Sequence, residues 1–102
     1  WKSIRYIRKN LDKEIELEAL AKVCCLSKDH FIRLFKKEMK TTPIKYINQK
    51  KIEKAQLMLF TGHRSVKDIA YALAFNNVSY FDRLFKRFVG CTPIEYKENK
   101  HI

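Results

Sequence analysis

The chain has 102 residues, which is enough for one small domain or for two very small ones that share a helix. Lysine and arginine number 22 against 11 aspartate and glutamate, so the formal charge is +11 and a polyanionic partner is favoured, nucleic acid first and an anionic membrane surface second. Hydrophobic residues make up 46%, which argues against global disorder, and no apolar run approaches the ~18 residues of a membrane span.

The first half of the chain is predicted to be helical, because apolar residues recur at three- and four-residue steps. They predict two short helices, over about residues 1–11 and 17–23. Ser27 is a predicted N-cap for a third helix. Thr42 precedes Pro43, a residue suited to the first helical position, and a long fourth helix is predicted from about Pro43 to Phe60, ending near Gly62.

The second half contains the signals of three further helices. Residues 65–68 resemble a capping box that starts the fifth helix. Asn76 or Asn77 can cap the sixth, which should end near Gly90, and a short seventh opens at Thr92. Two glycines and two prolines leave little room for sheets or hairpins. The predicted fold is therefore all-α, with seven helices.

The chain also repeats itself once, with a spacing of 49 to 50 residues. A duplicated basic helical unit suggests two copies of one recognition element. The matching blocks are FIRLFKK at 31–37 with FDRLFKR at 81–87, TPIKY at 42–46 with TPIEY at 92–96, and LEALA at 17–21 with VKDIA at 66–70.

Helical geometry divides the third and sixth helices into two faces. The predicted inward residues are Phe31, Leu34, Phe35, Phe81, Leu84, Phe85 and Phe88. The predicted outward residues are Asp29, Ile32, Arg33, Lys36, Ser79, Asp82, Arg83 and Lys86. In each copy a short helix comes three or four residues earlier, which is the layout of a helix-turn-helix whose second helix enters the major groove. The bland alternative is that both arginines are ordinary surface residues, but two copies with matching outward faces favour DNA.

The second half carries motifs that closely resemble the C-terminal DNA-binding domain of AraC/XylS-family transcriptional regulators: SVKDIA at 65–70, Phe75, SYFDRLFK at 79–86 and GCTPIEY at 90–96. The resemblance implies one domain over 1–102, with a first helix-turn-helix at about 16–39, a linker helix at 43–60, a second helix-turn-helix at 65–89 and a C-terminal helix at 93–99. It further implies sequence-specific binding to promoter double-stranded DNA and regulation of transcription, most often activation through RNA polymerase. A separate sensing or dimerisation domain and a cytoplasmic, nucleoid-associated location are also expected.

Carried over by position, the resemblance assigns the base contacts, while basic residues and helix N-termini are expected to supply the phosphate contacts. Base-contacting candidates are Asp29, Ile32, Arg33, Val78, Ser79, Asp82 and Arg83. Phosphate-contacting candidates are Lys36, Lys37, Lys86, Arg87 and the helix N-termini at Thr42 and Thr92, and His63 is a further backbone candidate. A linker helix ~25 Å long would separate the recognition helices by about one DNA turn, ~34 Å. Since the two outward faces differ, the site should be asymmetric.

Four positions depart from the family pattern. Cys25 and Ala74 stand where the turn of each helix-turn-helix usually has glycine, which is costly if the turn needs positive φ. Lys40 stands where glycine commonly ends the third helix, and Lys51 replaces a common arginine in the linker helix. These departures bear on which DNA sequence is preferred.

Other classes of function have little support. Cys24, Cys25 and Cys91 form no CxxC pair and have no histidine at ligand spacing, so buried or half-buried thiols are expected and no metal or cofactor is predicted. No nucleophile–base pattern, paired carboxylates or phosphate loop suggests an enzyme. Two rivals stay open: a helical protein-interaction module, and a basic amphipathic binder of anionic membranes.

Overall fold

The computed structural model describes residues 1–62 and 64–99, and His63 lies outside the described residues. Every regular element in this part of the chain is an α-helix, which confirms the predicted all-α fold with seven helices. The helices are α1 Lys2–Lys9, α2 Leu17–Val23, α3 Lys28–Met39, α4 Pro43–Thr61, α5 Val66–Ala72, α6 Val78–Val89 and α7 Pro93–Glu98.

Side-chain caps begin α3 to α7, as the sequence predicts. Ser27, Thr42, Ser65, Asn77 and Thr92 each accept a hydrogen bond from the backbone N–H three residues further on. The cap of α6 is therefore Asn77 rather than Asn76. Among the described helix starts, Thr92 forms a complete capping box, whereas the structure shows no reciprocal bond beside the Ser65 cap.

The N-terminal helix is shorter than predicted, since α1 ends at Lys9 and not near Leu11. Asn10 follows it with φ −123°, outside the helical region, and its side-chain Nδ2 donates to the carbonyl of Tyr6 at 2.8 Å. This local bond competes with continuation of the helix.

The packing divides the chain into two compact units, residues 1–48 and residues 49–102. The core of the first unit is built by α1, α2, α3 and the first turns of α4, and its buried side chains are Ile7, Leu20, Ala21, Phe31, Phe35, Tyr46 and Ile47. The core of the second is built by the rest of α4 with α5 and α6, and it comprises Ile52, Ala55, Leu59, Ile69, Ala70, Leu73, Phe75, Phe81, Leu84 and Phe85. Each unit therefore has its own hydrophobic core.

The same aromatic arrangement recurs in both cores. In the first unit the Phe35 ring packs edge-on against Tyr46, with centroids 5.5 Å apart and planes at 73°. In the second unit Phe85 and Tyr96 repeat the contact at 5.7 Å and 72°. The edge-to-face geometry is the favoured one for aromatic pairs. Each tyrosine therefore packs against a buried phenylalanine of its own unit.

The turn between the two helices of each helix-turn-helix requires a left-handed residue. Cys25 has φ 58° and Ala74 has φ 64°. In the second turn the N–H of Phe75 donates to the carbonyl of Ala70 at 2.9 Å, and the first turn closes in the same way. A residue with a Cβ pays ~1–2 kcal/mol in this conformation. The cost expected from the missing glycines is therefore incurred in both turns.

The inward faces of α3 and α6 are largely as predicted, and the exceptions are Leu34, which is half-buried, and Phe88. Phe31, Phe35, Phe81 and Phe85 are completely buried. Phe88 was predicted to point inward but is 36% exposed, because it lies in the last turn of α6, near the edge of the core.

Phe35→Ala and Phe85→Ala should each destabilise the protein by ~3–5 kcal/mol, since each leaves a cavity beside a tyrosine that has lost its partner. Thermal and urea unfolding of both variants measures the effect. Phe88→Ala is the matched control and should cost much less. Equal losses for Phe85→Ala and Phe88→Ala would contradict the assigned core.

Candidate nucleic-acid interface

The α2–turn–α3 and α5–turn–α6 segments form the two helix-turn-helix units, and each presents an exposed basic face on its second helix. On α3, Arg33, Lys36 and Lys37 are exposed, and Asp29 is exposed near the helix start. On α6, Ser79, Arg83, Lys86 and Arg87 are exposed. Six of these residues, Asp29, Arg33, Lys36, Ser79, Arg83 and Lys86, were predicted to be outward, and their exposure agrees with that prediction.

A shallow depression of about 270 Å³ lies on the exposed side of α3. Its described walls are His30, Arg33, Leu34 and Lys37. Leu34 was predicted to be inward but is only half-buried, whereas its counterpart Leu84 is 6% exposed. The apolar floor with cationic sides was missed from the sequence, because the two leucines look equivalent in the repeat.

Three base-contacting candidates are half-buried rather than fully outward. Ile32 packs against the first core and Val78 against the second. Ile32 and Asp82 had been placed on the outward face, and the helix geometry explains the difference. With the two phenylalanines of each helix defining the inward direction, these positions lie ~80° from it, whereas the arginines lie ~180° away. They are flank positions.

Asp82 occupies its flank position at an electrostatic cost. One carboxylate oxygen is buried and has no hydrogen-bond partner among the described residues. Burial raises the pKa of the Asp82 carboxyl above its ordinary value, because the charged form loses solvation. In the first repeat the same position holds Ile32, an apolar residue suited to that environment.

The two Thr-Pro helix starts are not equivalent as phosphate sites. The N–H of Thr92 donates to the Glu95 carboxylate at 2.9 Å, and this backbone bond, together with the Thr92 hydroxyl, lowers the pKa of the Glu95 carboxyl. A negative charge therefore already occupies the start of α7. At the start of α4 the matching residue is Lys45, whose N–H donates to the Thr42 hydroxyl at 3.2 Å. The start of α4 thus has a lysine where the start of α7 has a carboxylate.

Membrane insertion and metal binding were also considered for the described residues. Among residues 1–62 and 64–99, no helix is long and apolar enough to cross a membrane, and no cluster of three His, Cys, Asp or Glu side chains could hold a metal. Cys24, Cys25 and Cys91 are free thiols. Cys25 is exposed, which differs from the expectation of burial, because the turn projects it away from the core.

The chain matches the family model described as "Helix-turn-helix domain" over residues 20–99. Among curated proteins it is similar to the MmsAB operon regulatory protein of Pseudomonas aeruginosa, with 37% identity over 91% of this chain and 30% of that protein. It is also similar to the bifunctional transcriptional activator/DNA repair enzyme AdaA of Bacillus subtilis, with 36% identity over 91% of this chain and 44% of the relative. The chain thus spans less than half the length of either.

Solved structures share the fold. The crystal structure of an AraC-type transcriptional regulator from Chromobacterium violaceum superposes with a TM-score of 0.91, at 21% identity over 98% of this chain and 89% of the other. The DNA-binding domain of AdpA, solved in complex with a target DNA, gives a TM-score of 0.89, at 23% identity over 94% of this chain and 86% of that one.

The duplicated helix-turn-helix, its basic outward faces and these matches define a DNA-binding domain of transcription regulators. The chain belongs to the AraC/XylS family of such domains.

Asp82→Asn should raise the melting temperature at pH 7. The folded state raises the pKa of Asp82, so folding favours the protonated carboxyl, and ionisation costs stability once the pH rises through the folded-state pKa. The gain from asparagine should therefore shrink as the pH falls towards the unfolded value of ~3.9 and vanish below it. Melts of both proteins from pH 3 to 8 test this. Asp29→Asn, at an exposed position, should show no such gain, and a gain at pH 7 that persisted at pH 3 would contradict the assignment.

Proposed function

We propose that the chain binds double-stranded promoter DNA sequence-specifically, with α3 and α6 in successive major-groove segments, and thereby regulates transcription, with activation as the expected outcome. The observation that carries this proposal is the repetition of one exposed arginine, Arg33 and Arg83, at the same helical position of two matching helix-turn-helix units. Each arginine lies opposite a buried phenylalanine pair, so the core directs it towards solvent.

The proposed base contacts follow from side-chain chemistry. Arginine can bond guanine O6 and N7 together, which makes Arg33 and Arg83 the principal readers. Asp29 and Asp82 can accept from the amino group of cytosine. Ser79 can bond several bases. Ile32 and Val78 suit the methyl group of thymine.

The proposed phosphate contacts surround these readers and hold the register. They are Lys36, Lys37, Lys86 and Arg87, with the helix N-termini at Thr42 and Thr92. Asp29 and Ile32 of α3 correspond to the unlike residues Ser79 and Asp82 of α6, and Leu34 is more exposed than Leu84. One chain should therefore read an asymmetric site.

The remainder of the proposal concerns the larger protein. Contact with RNA polymerase, a separate sensing or dimerisation domain, and action in the cytoplasm at the nucleoid fit a chain that spans 30% and 44% of two regulators' lengths. We infer a non-enzymatic role for this domain, since its relatives are mostly named as transcriptional regulators; AdaA combines that role with DNA repair.

A membrane surface and a protein partner are the alternatives, and the core weighs against the first. Four phenylalanines of α3 and α6, namely Phe31, Phe35, Phe81 and Phe85, are completely buried in the two cores and are not free to insert into lipid. Retention on duplex DNA with no flotation on vesicles of anionic lipid supports DNA binding. Flotation without DNA retention would favour the membrane, and failure of both would favour a protein partner.

DNA affinity should fall steeply with salt. Each phosphate neutralised by a lysine or arginine contributes a slope of roughly −0.9 in log Kobs against log salt concentration. Fluorescence anisotropy with a random duplex between 50 and 300 mM salt measures the slope. An affinity that hardly changes over this range would count against the phosphate contacts.

Arg83→Ala and Lys37→Ala should separate base reading from phosphate binding. A duplex selected from a random pool provides the specific site. Arg83→Ala should cost ~1–3 kcal/mol on it and relax the preference at one or two positions, and Arg33→Ala should do the same in the other half. Lys37→Ala should weaken all sequences about equally and lower the salt slope by ~1.

Competition with point-mutated sites tells the two effects apart. Arg83→Ala and Lys37→Ala are measured against the same set of competitor duplexes, and each serves as the control for the other. If both variants shifted specific and random DNA by the same factor, the assigned reading face would be wrong.

A further inference from the structure

Lys51 is a buried lysine in the second unit, with 5% of its surface exposed. It lies on α4, far along the sequence from either recognition helix. Its Nζ donates to the backbone carbonyl of Leu73 at 2.6 Å. A buried ammonium is tolerated only where it is paired, so this contact fixes where α4 meets the turn of the second helix-turn-helix.

The carbonyl that accepts this bond lies where α5 ends and the turn begins. Leu73 is the C-cap of α5, where the carbonyl end of a helix carries partial negative charge. The next residue, Ala74, holds the left-handed conformation that the turn needs and that a Cβ makes costly. The ammonium thus binds the carbonyl beside the strained residue.

A second contact connects Lys51 to the recognition helix. Its Nζ lies 5.7 Å from the ring centroid of Phe75, within range of a cation–π interaction. Phe75 in turn contacts Phe81 at 5.2 Å and Tyr80 at 6.2 Å, both in the first turn of α6. One buried charge therefore contacts the end of α5 and the aromatic residue against which α6 starts.

At the corresponding positions, the first unit has neither a buried lysine nor an aromatic ring for it to contact. An offset of 48 residues matches Ser3, Ile7 and Leu11 of the N-terminal segment with Lys51, Ala55 and Leu59 of α4. Ser3 is completely buried, and its hydroxyl has no hydrogen-bond partner among the described residues. In the turn, Leu26 takes the place of Phe75.

We propose that Lys51 is a positioning residue for DNA reading: it orients α6 through the carbonyl of Leu73 and the ring of Phe75, and so sets sequence preference in the second half of the site alone. This inference rests on the proposed function, since it presupposes that Arg83 reads a base. Lys51 itself is buried and contacts no DNA.

The test compares Lys51→Met with Lys51→Arg. Methionine removes the charge and the donor but fills similar space, whereas arginine, which the family commonly has here, keeps both. The readout is competition binding at the positions whose preference is lost in Arg83→Ala, and separately at those lost in Arg33→Ala. Ser3→Ala is the matched control, because it removes a buried polar group at the equivalent place in the first unit without breaking a hydrogen bond.

Lys51→Met should reduce preference at the Arg83-dependent positions by about tenfold, the lower end of what a bidentate arginine–guanine pair supplies. Preference at the Arg33-dependent positions and the salt slope should stay unchanged. Lys51→Arg should retain the preference, and Ser3→Ala should leave both halves intact. A circular dichroism spectrum and a melt verify that each variant is folded at the temperature of the assay.

Three results would overturn the proposal: a lower melting temperature with unchanged preference, an equal loss in both halves, or a salt slope reduced by ~1, which would indicate direct phosphate contact. If Lys51→Met does not fold, the same measurement is made with Ala74→Gly added, since glycine adopts the left-handed conformation without strain. Full preference in that folded double variant would also refute the positioning role. A wild-type chain with no preference at any position would instead refute the proposed function.

Discussion

The edge-to-face contact of a phenylalanine with a tyrosine, Phe35 with Tyr46 and Phe85 with Tyr96, is the constraint on which each reading face depends. Each phenylalanine belongs to a recognition helix, and each tyrosine belongs to the helix that follows. Because a helix has only one inward stripe, burying this residue decides which side chains face solvent. The exposed arginine of each unit is therefore a consequence of core packing as much as of its own chemistry.

The two units share this frame but differ in how it is completed. The first has an exposed half-apolar depression around Leu34, an apolar flank residue in Ile32 and a buried serine. The second has a buried leucine, a poorly solvated Asp82 and a paired buried lysine. The two units therefore share a backbone arrangement but differ in their buried and half-buried polar residues. Under the proposed function, such differences would let one chain distinguish the two halves of a DNA site.

Most of the fold could be predicted from the sequence, because caps, proline positions and three-to-four periodicity are local signals. Ser27 and Ser65 cap their helices as expected, and Asn77 is one of the two residues that were predicted to cap α6. The outward arginines followed from the same periodicity. The flank positions of Ile32 and Asp82 did not, because a two-face division has no place for residues midway between core and solvent. The pairing of Lys51 joins residues 22 positions apart, and no local pattern reports a contact of that range.

The burial of Lys51 also distinguishes it chemically from the many lysines on the surface of this chain. An amine-reactive reagent reaches exposed ammonium groups directly, but it reaches Lys51 only when α4 and the end of α5 separate. Its rate of modification would then report the local opening of the second helix-turn-helix, independently of global unfolding. Because Lys51 is buried where α4 meets the turn, its rate of modification would measure how often the turn opens.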